Sequence, residues 1–141
     1  MIVKAELKDM EDVYRLVCEL ERTQLDRASF EEIYKEELSS DDYVILVEEE
    51  NDEIRALMEM RCLRQLHHAG KVAEIMCLYV CEEYRNFRIG HRLFHTAVQF
   101  AREAGCVQIE LNSSTWRTDA HRFYEREGMR KDHYNFTMDL R

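Results

Sequence analysis

The chain alternates between two hydrophobic periods, one typical of helices and one typical of strands. Helical spacing, with apolar residues at i, i+3, i+4 and i+7, first occurs over Val13–Leu20, and Asp9 is a candidate N-cap for that helix. A nearly continuous apolar run over Val72–Cys81 is typical of a strand buried on both faces. The predicted elements, in order, are a strand over Ile2–Glu6, the helix after Asp9, a helix over Ala28–Leu38, strands over Tyr43–Glu50, Ile54–Leu66 and Val72–Cys81, a helix over Ile89–Glu103, a strand over Val107–Leu111, a short helix around Ala120–Tyr124, and a strand over His133–Leu140.

This order predicts an α/β (α+β) fold with a mixed sheet and helices packed against it. Asn51 and Asp52 predict a hairpin turn between two of the strands. The later strand–helix–strand succession predicts a βαβ crossover. Gly105 and Gly128 follow helical patterns, where a left-handed residue commonly ends a helix. We expect a single domain over residues 1–141, because a chain of 141 residues is too short for two domains of ordinary size.

Composition and charge narrow the classes of partner. The chain has 20 basic and 29 acidic residues, and its net charge of −9 disfavours binding to nucleic acid. No apolar run reaches the roughly 18 residues of a membrane span, and the charged start lacks the apolar region of a signal peptide. The five cysteines form no CxxC pair, so we expect reduced thiols in a cytoplasmic protein.

The junction between the Val72–Cys81 strand and the next helix carries the strongest chemical signal. Gly90 lies in the first turn of that helix, where glycine costs about 1 kcal/mol relative to alanine. A strand-to-helix junction directs backbone N–H groups and the positive end of the helix dipole toward one point, which suits a pyrophosphate. Arg85 and Arg88 add positive charge. A plain helix start with surface arginines explains the same pattern, and this alternative stays open.

The stretch from Arg85 to Gly90 resembles [QR]-x-x-G-x-[GA], the acetyl-CoA pyrophosphate motif of the GNAT superfamily of N-acetyltransferases, with Arg88 in place of the first glycine. The first strand and helix, and the Ala120–Gly128 segment, are similar to two further parts of that family. The resemblance implies a GNAT-like, mostly antiparallel central sheet with a βαβ crossover and flanking helices. It also implies an acetyl-CoA-dependent enzyme that acetylates a primary amine of a small molecule.

The resemblance further implies which residues hold acetyl-CoA, the acetyl donor. The end of the central strand would bind the pantetheine arm through its backbone, and one N–H there would hold the developing oxyanion. The turn and the helix start would bind the pyrophosphate. The implied residues are Leu78, Tyr79, Val80, Arg85, Asn86, Phe87, Arg88, Ile89, Gly90 and His91.

Two residues are candidates for proton transfer. Glu74 is the candidate general base, because an alkylammonium must lose a proton before it attacks and a charge inside an apolar run is uncommon without a partner. Tyr124 is the candidate general acid that protonates the departing thiolate. The structural alternatives are an ordinary strand-end carboxylate for Glu74 and a core aromatic ring for Tyr124.

A narrower resemblance, to bacterial aminoalkylphosphonate N-acetyltransferases, suggests where an acceptor would bind. Leu66-His67-His68 and the segment from Arg117 to His121 are similar to segments of that group. The positive charge of His67, His68, Arg117 and His121 would suit a phosphonate, although polar loop residues are an equally good interpretation. No histidine pair has a third ligand at a standard metal spacing, but a divalent ion between the substrate and a histidine stays open.

Two other functions stay open at this stage. One is a protein or peptide N-acetyltransferase, which the acidic surface favours. The other is an acyl-CoA-binding module without catalysis, which the arginine at a motif glycine favours. Relatives of this kind are often dimers, so a homodimer is also open.

Overall fold

The computed structural model describes residues 1–141. Its sheet has five strands in the order β1-β2-β3-β4-β5, and the first four are antiparallel to their neighbours. A helix connects β4 to β5, so the predicted βαβ crossover and mixed sheet are confirmed. The strands are β1 (Ile2–Lys4), β2 (Tyr43–Glu50), β3 (Glu53–Gln65), β4 (Gly70–Val80) and β5 (Gln108–Leu111), and the helices are α1 (Met10–Glu21), α2 (Arg27–Leu38), α3 (Ile89–Glu103) and α4 (Thr118–Arg126).

The chain divides into two compact units, Met1–Glu110 and Leu111–Arg141. In the first unit, α1 and α2 bury their apolar stripes against the sheet. Leu16 and Tyr34 of these helices join Val47 and Leu57 of the strands in one core cluster, and all four side chains are at most 2% exposed. None of the helices is long and apolar enough to cross a membrane.

Local turn chemistry determines the hairpins and the helix ends. Asn51 and Asp52 both have positive φ, 52° and 62°, as the primed two-residue turn between β2 and β3 requires. Gly105 and Gly128 take positive φ after α3 and α4, which confirms the predicted glycine ends.

A β-bulge interrupts the pairing of β3 with β4. Glu59 pairs with Cys77, but the next residue, Met60, pairs with Ile75, so Met76 is the extra residue on β4. Because of this bulge, Glu74 and Cys77, which are three residues apart and lie on either side of it, present their side chains to the same face of the sheet.

Three expectations from the sequence are corrected by the structure. Asp9 does not cap α1 with its side chain; its carboxylate instead accepts a hydrogen bond from the backbone N–H of Glu6 at 2.8 Å, in a 3₁₀ turn that precedes the helix. The strand expected over Val72–Cys81 is buried at Val72, Ala73, Ile75 and Cys81, whereas Met76–Val80 are half-buried.

The predicted strand over His133–Leu140 is wrong, because that segment forms no helix or strand. Tyr134, Phe136, Met138 and Leu140 alternate as in a strand, yet each is at least 83% exposed. Alternation describes which side chains share a face, whereas a strand exists only where its backbone pairs with a neighbour.

Candidate active site

The second half of β4 is an open strand edge. β5 lies beside the start of β4, where the Val107 N–H donates to the Lys71 carbonyl at 2.8 Å. With four residues, β5 is too short to pair along all eleven residues of β4. Leu78, Tyr79 and Val80 therefore keep their pairing with β3 on one side and have an edge beyond the reach of β5 on the other. An extended ligand with amide groups can bond to such an edge as an added strand.

The turn after β4 holds Arg88 in a backbone conformation that glycine prefers. Residues Glu82–Phe87 form a 3₁₀ helix, and Arg88, which follows it, has φ 58° and ψ 22°. This is the position at which the resembled motif carries its first glycine. The arginine thus adopts a left-handed conformation that suits glycine, at a cost in steric strain.

The first turn of α3 presents backbone donors at this junction. Arg88 is the N-cap of α3 and makes no side-chain cap hydrogen bond. The first N–H groups of a helix have no partner within the helix, so they are available to an anion. Ile89 anchors the turn, fully buried, while Asn86 and Phe87 are exposed. Gly90 and His91 are half-buried in the same turn.

Two arginines hold the junction in shape. Arg85 donates from Nε to the Val80 carbonyl at 3.0 Å and lies over the Tyr79 ring at 5.5 Å. Arg92 donates from Nη1 to the Phe87 carbonyl at 2.9 Å. All ten residues predicted to bind acetyl-CoA therefore lie on one continuous stretch that runs from the end of β4 into α3.

Glu74 is paired with an arginine on the neighbouring strand. Arg61 of β3 lies directly opposite Glu74 of β4, and it donates to the Glu74 Oε1 from Nε at 2.9 Å and from Nη2 at 2.7 Å. The hydrogen bonds and charge of Glu74 raise the pKa of Arg61. Glu74 lies four residues, or about 13 Å along the strand, before Leu78.

A buried carboxyl group, Glu37 of α2, lies on the same side of the sheet. Its side chain is 8% exposed, and its Oε1 has no hydrogen-bond partner in the protein. Burial, together with a hydrogen bond and the charge of Glu59, raises the pKa of Glu37 to about 8. Glu59 faces Cys77 across the β3–β4 pair, and burial and Glu59 raise the pKa of the Cys77 thiol.

Glu37 was not predicted from the sequence, although a signal was present. Phe30, Tyr34 and Glu37 follow the i, i+4, i+7 spacing of the apolar stripe of α2, so a carboxylate stands at a position where an apolar residue is expected. A charged residue at a core position of a helix indicates either a buried partner or a shifted pKa.

A cavity between α1 and the segment leading into α2 was also missed. Its volume is about 560 Å³, which lies in the range of small-molecule sites. Glu19, on its wall, accepts a hydrogen bond from the Tyr79 hydroxyl at 3.1 Å, so the cavity wall is joined to the end of β4. Arg15 and Arg27 also line it, paired with Glu19 and Glu11 respectively.

His67 and His68 lie in a 3₁₀ turn between β3 and β4, with ring centroids 4.3 Å apart. They precede the first residue of β4, whereas the predicted acetyl-CoA residues begin near its last residue. The strand of eleven residues separates the two ends by about 35 Å. The histidines are thus closer along the strand to Glu74 than to the junction with α3.

The second unit contains the other predicted site residues. Tyr124 is a half-buried residue of α4, with its ring centroid 5.3 Å from that of Phe123. Arg117 and His121 lie one turn apart at the start of α4, where the His121 N–H donates to the Arg117 carbonyl at 3.1 Å. The His121 ring nitrogen Nε2 also contacts the Ser114 carbonyl at 2.9 Å.

Comparison with known proteins identifies a family match over most of the chain. A model of the acetyltransferase (GNAT) family matches residues 10–129. Aminoalkylphosphonate N-acetyltransferase of Salmonella typhimurium is 35% identical over 136 residues, which cover 96% of this chain and 88% of that protein.

Solved structures have the same fold. A transcriptional regulator from Bacillus halodurans matches with a TM-score of 0.92 at 24% identity, covering 99% of both chains. Glucosamine-6-phosphate N-acetyltransferase from Arabidopsis thaliana matches with a TM-score of 0.85 at 23% identity, covering 100% of this chain and 98% of that one.

Proposed function

The chain belongs to the GNAT family and is an acetyltransferase, and we propose that it transfers the acetyl group of acetyl-CoA to a primary amine of a small molecule. We propose an aminoalkylphosphonate as the leading acceptor, because the Salmonella relative carries that name. The observation that supports donor binding most directly is the open edge of β4 leading into the uncapped start of α3. The whole of residues 1–141 would act as one catalytic domain.

Donor binding would use the backbone more than side chains. The pantetheine arm carries amide groups, and Leu78, Tyr79 and Val80 would pair with them along the open edge. The pyrophosphate would lie at the N-terminus of α3, where Gly90 has no side chain and Arg88 adds positive charge. The remaining residues predicted to bind the donor at this junction are Asn86, Phe87, Ile89 and His91.

The reaction needs a free amine. An alkylammonium with a pKa near that of lysine is mostly protonated at pH 7, which costs about 4–5 kcal/mol if nothing corrects it. Glu74 would attract the ammonium and accept its proton through water, because it lies about 13 Å along the strand from Leu78. The amine nitrogen then attacks the thioester carbonyl carbon. The N–C bond forms, the C–S bond breaks, and Tyr124 would protonate the thiolate that leaves. The second proton of the amine, released as the amide forms, would restore the Tyr124 hydroxyl. A backbone N–H at Leu78–Val80 would stabilise the oxyanion.

The negatively charged end of the acceptor would bind to basic residues. His67, His68, Arg117 and His121 would supply positive charge for a phosphonate, with a divalent ion as an open addition.

Calorimetry with CoA followed by an acetylation assay tests the proposal. We expect heat of CoA binding and faster acetylation of aminoalkylphosphonates than of alkylamines of equal length. Peptide acetylation without turnover of free amines would support a protein acetyltransferase instead. Binding of CoA with no transfer to any amine would support a binding module, and no binding of CoA would exclude all three functions.

A further inference from the structure

A buried carboxylate on β2 is bound by an arginine from a bulge in β3. Glu48 is 2% exposed, and Arg55 donates to it twice, from Nε to Oε2 and from Nη2 to Oε1, each at 2.9 Å. Arg55 has no partner in the β2–β3 register, since the residue before it pairs with Glu49 and the residue after it pairs with Glu48. It is therefore the extra residue of a bulge, a feature that commonly redirects a side chain.

Glu48 stays ionised in spite of its burial. Burial alone would raise its pKa, but hydrogen bonds from Arg55 and from the Met1 amino group, 3.1 Å from Oε1, hold the pKa of this carboxyl group below its ordinary value. A buried carboxylate keeps its charge only among cations and donors. One more cation, Arg92 of α3, places its Nη2 4.0 Å from Oε1. Glu48 is thus a point at which β2, β3 and α3 meet.

Arg55 and Arg92 also hold the turn that follows β4. We call Glu82–Arg88 the junction turn. The Arg55 guanidinium lies 4.8 Å from the centroid of the Tyr84 ring, a cation–π contact with the first half of the turn. Arg92 donates from Nη1 to the Phe87 carbonyl at 2.9 Å, in the second half. The buried carboxylate therefore orients two cations, each of which contacts a different part of the junction turn.

The contact with Phe87 bears on the strained residue next to it. The Phe87 carbonyl belongs to the peptide group that precedes Arg88, whose φ is 58°. The backbone N–H of Arg92 donates to the Arg88 carbonyl at 3.1 Å, so Arg92 binds the peptide groups on both sides of Arg88. A strained backbone conformation persists only where the surrounding contacts hold it. The direction of the first N–H groups of α3 thus depends on Arg92.

We propose that Glu48 is a positioning residue for the donor: through Arg55 and Arg92 it keeps the junction turn in the shape that accepts the pyrophosphate of acetyl-CoA. The proposal rests on the proposed binding of acetyl-CoA at the start of α3. It predicts that loss of the Glu48 charge weakens CoA binding. A simple charge effect has the opposite sign, because CoA is an anion and removal of a nearby negative charge would strengthen its binding.

The test is calorimetry of CoA with wild type and with Glu48→Gln. Glutamine keeps the shape of the side chain but has one acceptor oxygen and no charge, so it cannot bind both arginines as the carboxylate does. We expect the Kd of CoA to rise about tenfold, as for a lost charged hydrogen bond. Glu103→Gln removes the same charge at an exposed position of α3 and should leave Kd within about twofold of wild type. An unchanged or lower Kd in Glu48→Gln overturns the positioning role.

A shortened donor separates positioning from a general loss of structure. Acetyl-pantetheine has the thioester and the amide arm but no pyrophosphate, so it does not need the junction turn. We expect Glu48→Gln to raise KM for acetyl-CoA with little change in kcat, and to leave kcat/KM for acetyl-pantetheine within about twofold of wild type. An equal loss with both donors would assign the effect to stability and overturn the proposal.

Arg92→Lys tests the same role at a side chain that is 50% exposed, and so keeps the proposal testable if Glu48→Gln does not fold. Lysine keeps a positive charge for a phosphate but lacks the fork of donors that binds the Phe87 carbonyl and reaches Glu48. We expect the Kd of CoA to rise by about threefold or more. A wild-type Kd in Arg92→Lys would overturn the role of this arginine. In the double variant the loss should be smaller than the product of the two single losses, and a full product would overturn the route through Arg92.

These outcomes are distinguishable from a failure of the proposed function. If wild type binds CoA and Glu48→Gln binds it equally well, donor binding stands and the role of Glu48 is wrong. If wild type binds no CoA, the proposed function fails and this role fails with it.

Discussion

Arg61 directs both its Nε and its Nη2 at one oxygen of Glu74, at 2.9 and 2.7 Å, and leaves that carboxylate only 20% exposed. This pairing explains how a charged residue is kept inside an otherwise apolar strand. In the proposed reaction the same side chain would attract the ammonium of the acceptor.

Glu74→Gln should lower turnover and leave CoA affinity unchanged. Glutamine keeps the shape and loses the charge that attracts the ammonium and takes its proton, and general-base loss typically costs about 10²–10⁴ in rate. The deficit should be largest at low pH, where fewer free amine molecules are present. Steady-state kinetics across pH, with CoA calorimetry, measures both effects. Glu32→Gln, an exposed change on α2, is the control, and equal activity of Glu74→Gln and wild type at every pH would remove Glu74 from the mechanism.

Arg88→Gly should stabilise the fold relative to Arg88→Ala. Both variants lose the arginine charge, but only glycine relieves the left-handed strain at φ 58°. After the entropy cost of glycine in the unfolded chain, we expect a difference of about 0.5–1 kcal/mol in the free energy of unfolding. Urea denaturation measures this difference. Equal stability of the two variants would show that the strain is absent in solution.

Gly90→Glu should abolish CoA binding. The new carboxylate would stand in the first turn of α3, where the pyrophosphate is proposed to lie, and like charges repel. Gln99→Glu adds the same charge at an exposed position later in α3 and should bind CoA normally. Calorimetry with far-ultraviolet circular dichroism separates lost binding from lost folding. Binding of CoA by Gly90→Glu at wild-type affinity would move the pyrophosphate away from α3.

Stability should fall as the pH rises from about 5 to 8. Burial raises the pKa of Glu37 to about 8 in the folded chain, above the usual glutamate value of about 4.3 in the unfolded chain. The folded state therefore binds the extra proton in this window, and stability is lost as the pH rises through it, by at most about 1.4 kcal/mol per pH unit. Glu37→Gln should flatten this slope. Urea titrations at several pH values measure it, and a slope unchanged by the substitution would assign it to another group.

Tyr124→Phe should slow acetyl transfer without weakening CoA binding. The phenol is proposed to protonate the thiolate, and phenylalanine keeps the ring that packs beside Phe123. We expect kcat to fall by about 10²-fold or more with little change in KM for acetyl-CoA. Phe123→Leu, on the same helix, controls for packing. A kcat unchanged by Tyr124→Phe would leave the thiolate to be protonated by water.

The elements that the sequence predicted correctly are those with local causes. Asn51 and Asp52 favour a two-residue hairpin turn by their own backbone preferences. The apolar stripes of α1 and α3 can be read from residue spacing alone, because each helix packs that stripe against the sheet. The strand over His133–Leu140 was predicted wrongly because pairing, which makes a strand, is not encoded in alternation.

The candidate site was predictable only in part for the same reason. The motif located the junction at Arg85–Gly90, since its residues are contiguous. The pairing of Glu74 with Arg61 depends on the register of β3 with β4, and the approach of Glu59 to Glu37 depends on how α2 packs on the sheet. No local pattern reports either relationship, so the electrostatic setting of Glu74 became visible only in three dimensions.

The shortness of β5 has a second consequence. A strand edge without a partner can template pairing with another polypeptide, which is a known route to aggregation. The unpaired edge of β4 at Leu78–Val80 is therefore both the proposed binding site of pantetheine and the place where two copies of the chain would associate. Occupancy by CoA should protect these backbone amides from hydrogen exchange and, by the same contacts, keep concentrated protein in solution.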